Sequence, residues 1–270
     1  MFQRSVPAAL LALFLLSACG VSPTAVPEAA AVDSTAPPEP TDTPTSTAIP
    51  LTPTPTELYP GEGPWPVTFD TADGVTLSGI VYGKTGTLGV VMAPTYPGGQ
   101  DGWAGFAAKV AAQGYRALTF DLRGHGDSGG DQDITQAVAD VQAAMSFLRG
   151  EETERIVLLG AGEGGSAVIK ATADPSVVGV AVISAMKGFE GLNVSDAELQ
   201  AITVPSVWLA ARLDLFQEIE PMSELAGSAD KEVWIYEGSS LHGTYIFEGS
   251  DGPDMTGRLL ALIDRVAGDS

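Results

Sequence analysis

The sequence holds a single cysteine, Cys19, so no intramolecular disulfide can form and the fold has no covalent staple. Positive charge is scarce: 13 Lys and Arg stand against 34 Asp and Glu, a formal net charge of -21. A field of that sign repels phosphate polymers and anionic bilayer surfaces, which argues against a nucleic-acid partner. It also keeps the chain soluble without naming a substrate. Long apolar runs are missing too. The strongest, Ala8 to Leu16 in "MFQRSVPAALLALFLLSACG", falls short of the about 20 residues that a membrane-spanning helix needs. No internal repeat is found, and neither a metal nor a cofactor is expected.

What the first residues do contain is a secretory pattern: Arg4 as the positive region, the apolar run, then the small residues Ser17 and Ala18 before Cys19. Leu16-Ser17-Ala18-Cys19 resembles the lipobox of bacterial lipoproteins. The resemblance implies that residues 1–18 are a signal peptide and that Cys19 becomes the lipid-carrying first residue of the mature chain. The expected location is the bacterial cell envelope, outside the cytoplasm, with the membrane as partner through that lipid. From Val21 to Gly63 the composition turns to Pro, Thr, Ala and Ser, as in "TAPPEPTDTPTSTAIPLTPTPTE". Such a segment cannot bury enough surface to offset its ordering entropy. Its prolines favour polyproline II, so residues 19–63 read as a linker reaching on the order of 100 Å at about 3.1 Å per residue.

Residues 64–270 carry the folded domain, where short apolar runs alternate with helical patterns in the manner of a mostly parallel sheet. "VTFDTA" and "VTLSGIVYG" are expected to form an opening hairpin around Asp73-Gly74. "LGVVMAP", "YRALTFDL", "RIVLLG", "VVGVAVISA", "SVWLAARLD" and "KEVWIYEG" are the later strands. Helices are expected near Trp103 to Ala112, over Ile134 to Leu148, from about Gly164, and over Asp254 to Val266. In the second of these Ala137, Val141, Ala144 and Leu148 share one face. Gly160, Gly162 and Gly165 fit a dinucleotide fingerprint literally, but their strand comes too late in the order for that site.

"VVMAPTYPGGQDGWAGFAAKVAAQGYRALTFDLRGHGDSGG", with Asp121-Leu122-Arg123-Gly124-His125-Gly126, resembles the strand-loop-helix-strand opening of the α/β-hydrolases. The likeness covers essentially Val67 to Asp269 and points toward serine esterases, dienelactone-hydrolase-like and serine-aminopeptidase-like members. It implies a twisted, mostly parallel sheet of about eight strands with helices on both faces. "VPSVWLAARLD" and "EGSSLHG" resemble the segments that end in the family's acid and its histidine, which makes Asp214 the acid and His242 the base. Asp214 is expected to fix the imidazole tautomer and leave the other ring nitrogen free to take a proton. His125 matches a structural loop position.

Two departures follow. In "ERIVLLGAGEGGSAVIKATA" the strand-turn-helix where the family has Gly-x-Ser-x-Gly places Gly162 at the nucleophile position. The turn's small residues survive while the attacking hydroxyl does not. A register with Glu163 in that slot misplaces the small residues on either side. The family's His-Gly oxyanion pair is replaced by Pro94-Thr95, leaving the backbone N–H groups of Tyr96 and Glu163 as the expected donors, with the Glu163 carboxylate working against a developing oxyanion. Ser184, closing a strand expected beside the elbow strand, is the best alternative nucleophile, with Thr95, Ser239 and Ser240 weaker and Ser166 carried away by its helix.

Only about twenty residues separate the sixth strand from "VPSVW", so no large lid fits. A shallow cleft of this kind suits small ester or peptide ligands, with Tyr96, Trp103, Phe189 and Tyr245 as candidate lining. The expectation is a degenerate serine hydrolase kept for binding or another non-catalytic task. The alternative is an active hydrolase of small esters or amides, in which Asp214 and His242 activate Ser184 or a water.

Overall fold

The computed structural model describes residues 63–96 and 98–268. The expected signal peptide, Cys19 and nearly all of the Pro/Thr segment lie outside the described residues. In chain order the elements are β1 (Trp65–Asp70), β2 (Thr76–Tyr82), β3 (Leu88–Ala93), α1 (Asp101–Ala112) and β4 (Arg116–Phe120). A 3₁₀ turn at Ile134–Gln136 leads into α2 (Ala137–Arg149), β5 (Arg155–Ala161), α3 (Glu163–Ala171) and β6 (Val177–Ile183). A hairpin of β7 (Gly188–Phe189) and β8 (Leu192–Asn193) precedes α4 (Asp196–Gln200) and β9 (Ser206–Ala211). The chain continues through α5 (Ile219–Leu225), β10 (Lys231–Tyr236), a second 3₁₀ turn at Gly243–Glu248, and α6 (Gly252–Gly268).

Eight of the strands form one sheet in the order β1-β2-β4-β3-β5-β6-β9-β10. Only the β1–β2 and β2–β4 pairs are antiparallel, so the crossovers from β3 onward must lay helices over the sheet. The strand side chains alternate between two cores. Ile156, Leu158, Val180, Val182, Trp208 and Ala210 face Val141, Met145 and Leu148 of α2 and Val168 of α3. Their neighbours Val157, Leu159, Ala181, Ile183, Val207 and Leu209 face Trp103, Phe106 and Val110 of α1 and Leu259, Leu262 and Ile263 of α6. A period of two on the strands and of 3.6 on the helices produces both layers, and burial on both faces explains why the strands read as nearly continuous apolar runs.

Between β6 and β9 stand only the β7–β8 hairpin and the five-residue α4, whose Ser195 and Glu198 form a reciprocal capping box. No large lid is built there. The helices begin slightly earlier than the periodicity suggests: α1 at Asp101, α3 at Glu163 and α6 at Gly252. Trp103, expected in the cleft, is fully buried instead, its indole N–H donating to the Ala93 carbonyl at 3.0 Å. Among the described residues no helix is long and apolar enough to cross a membrane.

Candidate active site

Parallel strands end at one edge of the sheet, and the loops that follow β3, β5, β6, β9 and β10 gather there. Asp214 comes three residues after β9, and His242 six residues after β10. The structure brings them together: His242 Nδ1 lies 3.0 Å from both carboxylate oxygens of Asp214. Asp214 is 2% exposed. Burial works against its charge, yet the bonds from His242 and the Phe216 N–H, with the nearby Ser184 hydroxyl, outweigh it and hold the carboxyl below the ordinary Asp range. An ionised Asp214 therefore accepts the hydrogen bond from Nδ1–H, and Nε2 is left as a lone-pair acceptor with no hydrogen bond among the described residues.

That free nitrogen faces the elbow. Between β5 and α3 the backbone of Gly162 adopts φ 54° and ψ -123°. An L-residue adopts such angles only under strain, and glycine adopts them freely. A Cβ built on Gly162 stands 3.1 Å from His242 Nε2 and 3.0 Å from Thr95 Cγ2. Gly162, and not Glu163, is thus the apex of the turn, and the position that presents a side chain to the base carries only hydrogen. The small residues around it are required by contact: a Cβ on Gly164 meets the Pro94 carbonyl oxygen at 2.4 Å, so the first turn of α3 packs directly on the end of β3.

Of the two expected oxyanion donors, one is occupied: the Tyr96 N–H donates to Glu163 Oε2 at 2.9 Å. Glu163 is the first residue of α3 and only 3% exposed. Burial raises its pKa above the usual Glu value, against the lowering effect of the two N–H groups and of His242, while the Glu190 carboxylate adds to the rise. A carboxylate thus fills the place where an acyl-transfer enzyme stabilises an oxyanion. Sequence reading foresaw repulsion from this residue but not its capture of the Tyr96 N–H.

Ser184 sits next to the acid rather than the base. It follows β6 with φ 48°, is 0% exposed, and its Oγ makes no hydrogen bond of ordinary geometry, although the hydroxyl lies close enough to Asp214 to favour that carboxylate's charge. It therefore does not reach Nε2, and the geometry corrects its candidacy as a nucleophile. Ser166 donates to the Met186 carbonyl at 2.7 Å inside the fold, and Ser239 accepts from the Leu241 N–H at 3.2 Å. Thr95 is 3% exposed with its hydroxyl unpartnered, its methyl turned toward Gly162.

The rim is aromatic. Tyr96 and Phe189 are 6.3 Å apart between ring centroids, Phe189 and Phe216 6.5 Å, and Phe216 and His242 5.7 Å. Phe216 escaped sequence reading, since nothing but its place two residues after Asp214 marks it. His125 packs edge-on against Tyr96 and donates from Nδ1 to the Arg123 carbonyl at 2.8 Å, in keeping with a structural role. Tyr245 is exposed beside a cavity of about 270 Å³ that Asp101, Thr244 and Glu248 also line. Among the described residues no group of three or more His, Cys, Asp or Glu is placed to hold a metal ion.

A sequence model described as "Alpha/beta hydrolase family" matches residues 90–263. Among solved structures, the esterase Pf2001 of Pyrococcus furiosus superposes with a TM-score of 0.64 at 20% identity, over 80% of this chain and 97% of that one. The esterase RhEst1 of Rhodococcus sp. ECU1013 gives 0.62 at 17% identity, over 74% and 99%. An esterase from Exiguobacterium antarcticum gives 0.59 at 16%, over 73% and 98%. At such identities the likeness speaks for the fold. No curated protein matches the sequence.

Proposed function

The chain belongs to the alpha/beta hydrolase family, and from that premise we propose that it is a degenerate serine hydrolase, retained for ligand binding and tethered outside the cytoplasm as a lipoprotein. One observation carries the reading: the side-chain position 3.1 Å from the free nitrogen of a paired Asp-His couple belongs to Gly162. A general base without a nucleophile cannot form an acyl-enzyme. Loss of a triad serine removes about six decades of rate, and what survives in such variants comes from binding and the oxyanion donors. Here Glu163 also takes the Tyr96 donor.

The cellular part of the proposal rests on the lipobox-like Leu16-Ser17-Ala18-Cys19, the Pro/Thr-rich segment and the acidic domain that follows. A lipid on Cys19 anchors the chain, and the linker holds a domain of strongly negative charge away from the anionic headgroups that repel it. The ligand is a small molecule or peptide taken into a shallow, lidless cleft, and nucleic acid is excluded by charge.

The test is labelling of the purified full chain with a fluorophosphonate serine probe, together with hydrolysis of short-chain nitrophenyl esters. Neither labelling nor turnover above a His242→Ala variant is expected. Labelling of the wild-type protein at any serine overturns the reading. The intact Asp214–His242 couple favours one competitor, a hydrolase in which His242 activates a water. Its signature is ester turnover that needs His242 but leaves the probe unreacted.

A further inference from the structure

The charge pattern of the cleft is inverted relative to a site that binds oxyanions. Glu163 has taken the Tyr96 N–H donor, so the groups that remain at the site accept hydrogen bonds: the carboxylate and the Nε2 lone pair of His242. Glu190, at the turn of the β7–β8 hairpin, lies within electrostatic reach of Glu163. The cations on neighbouring segments are engaged elsewhere. Lys187 pairs with Asp196, Arg212 with Glu220 and Glu237, and Arg123 with Asp140 and Asp73.

A second, independent feature is the run of half-buried rings from Tyr96 through Phe189 and Phe216 to His242, which begins and ends next to the Glu163 carboxylate's two polar neighbours, the Tyr96 N–H and the imidazole. Aromatic faces carry negative quadrupole density, and over them a cation is attracted where an anion is not. A metal ion is poorly served, because the carboxylates do not converge into a ligand cluster among the described residues.

We propose that this cleft, bounded by Glu163, Glu190 and the Tyr96–Phe189–Phe216 rings, is a binding site for a small alkylammonium group. The ammonium pairs with the Glu163 carboxylate, its N–H groups reach the acceptors, and its alkyl carbons lie on the rings. The proposal rests on the reading of Gly162 and Glu163 as a catalytically silenced pair, since an oxyanion-binding site with its donors free would repel the same charge.

The experiment is a ligand-observed NMR titration of the full chain with butylammonium, 1-butanol and butyrate at constant ionic strength. Saturable butylammonium binding is expected, with 1-butanol and butyrate at least about tenfold weaker, the factor that one charge-assisted bond supplies. Glu163→Gln is expected to erase the difference between butylammonium and 1-butanol. Phe189→Leu is expected to weaken butylammonium several-fold with little change for 1-butanol. Equal binding of the neutral or anionic probe, an unchanged preference in a folded Glu163→Gln protein, or no saturable butylammonium binding overturns the proposal. Fluorophosphonate labelling run in parallel separates the two readings: unlabelled protein that ignores butylammonium loses only the ligand, whereas labelled protein loses the silenced site.

Discussion

Restoring the hydroxyl is the sharpest perturbation of this site, and the geometry says that one substitution is not enough. In Gly162→Ser the new Cβ lies 3.1 Å from His242 Nε2 and 3.0 Å from Thr95 Cγ2, so both side chains must yield by a few tenths of an ångström. A serine at φ 54° also stores about 1–3 kcal/mol of backbone strain. Both costs are tolerable, and Nε2 is then in position to take the hydroxyl proton. The obstacle is Glu163. A carboxylate about 4 Å from a developing oxyanion costs ~4 kcal/mol at an effective dielectric of 20, and the oxyanion donor it withholds is worth about 2.7–4 kcal/mol. Even the smaller of these burdens, about 2.7 kcal/mol at 1.36 kcal/mol per decade, leaves the single variant on the order of 10²-fold below one with the donors free. Gly162→Ser is therefore expected to stay near background in nitrophenyl acetate hydrolysis, and Gly162→Ser with Glu163→Ala to exceed it by about that factor. The gain must vanish on adding His242→Ala. If the single variant comes within about tenfold of the double, or if the folded double variant gains nothing, Glu163 is refuted as the group that blocks the Tyr96 donor.

Three further outcomes follow from the same structure. Burial holds the folded-state Glu163 above its ordinary pKa, so the proton is bound more tightly folded than unfolded, and the associated stability, full at low pH, is lost as pH rises through the raised value. Glu163→Gln does not titrate, so its melting temperature should exceed wild type at pH 7 and converge with it below about pH 4; a gap that widens on acidification contradicts the assignment. Leu158→Ala, in the middle of β5 with the side chain fully buried against α2 and α3, should cost about 2–5 kcal/mol in denaturant unfolding, and a loss under about 1 kcal/mol would mean that this layer is loosely packed. Cys19→Ser should abolish palmitate incorporation and move the protein from the membrane to the soluble fraction. Retention of both the label and the membrane fraction sinks the lipid anchor.

Much of this protein was legible in its sequence, and the reason is periodicity. Val157 and Leu158 go to opposite cores because strand side chains alternate, and Val141, Ala144 and Leu148 share a face because a helix turns every 3.6 residues. The resemblance of the elbow, acid and histidine segments to those of the α/β-hydrolases implied that Asp214 and His242 meet and that Gly162 is the apex. Local pattern decides the strands and helices, since each depends on a residue and its near neighbours. Tertiary structure alone decided the others. Trp103 went to the core because α1 lies flat on the sheet, and Ser184 turned to Asp214 instead of Nε2 because β6 ends one strand away from the elbow. Nothing in the chain order tells that Glu163 bends back across 67 positions to the Tyr96 N–H. A side chain's choice among partners distant in sequence is set by which strand ends the sheet brings within about 3 Å, and that distance exists only after folding.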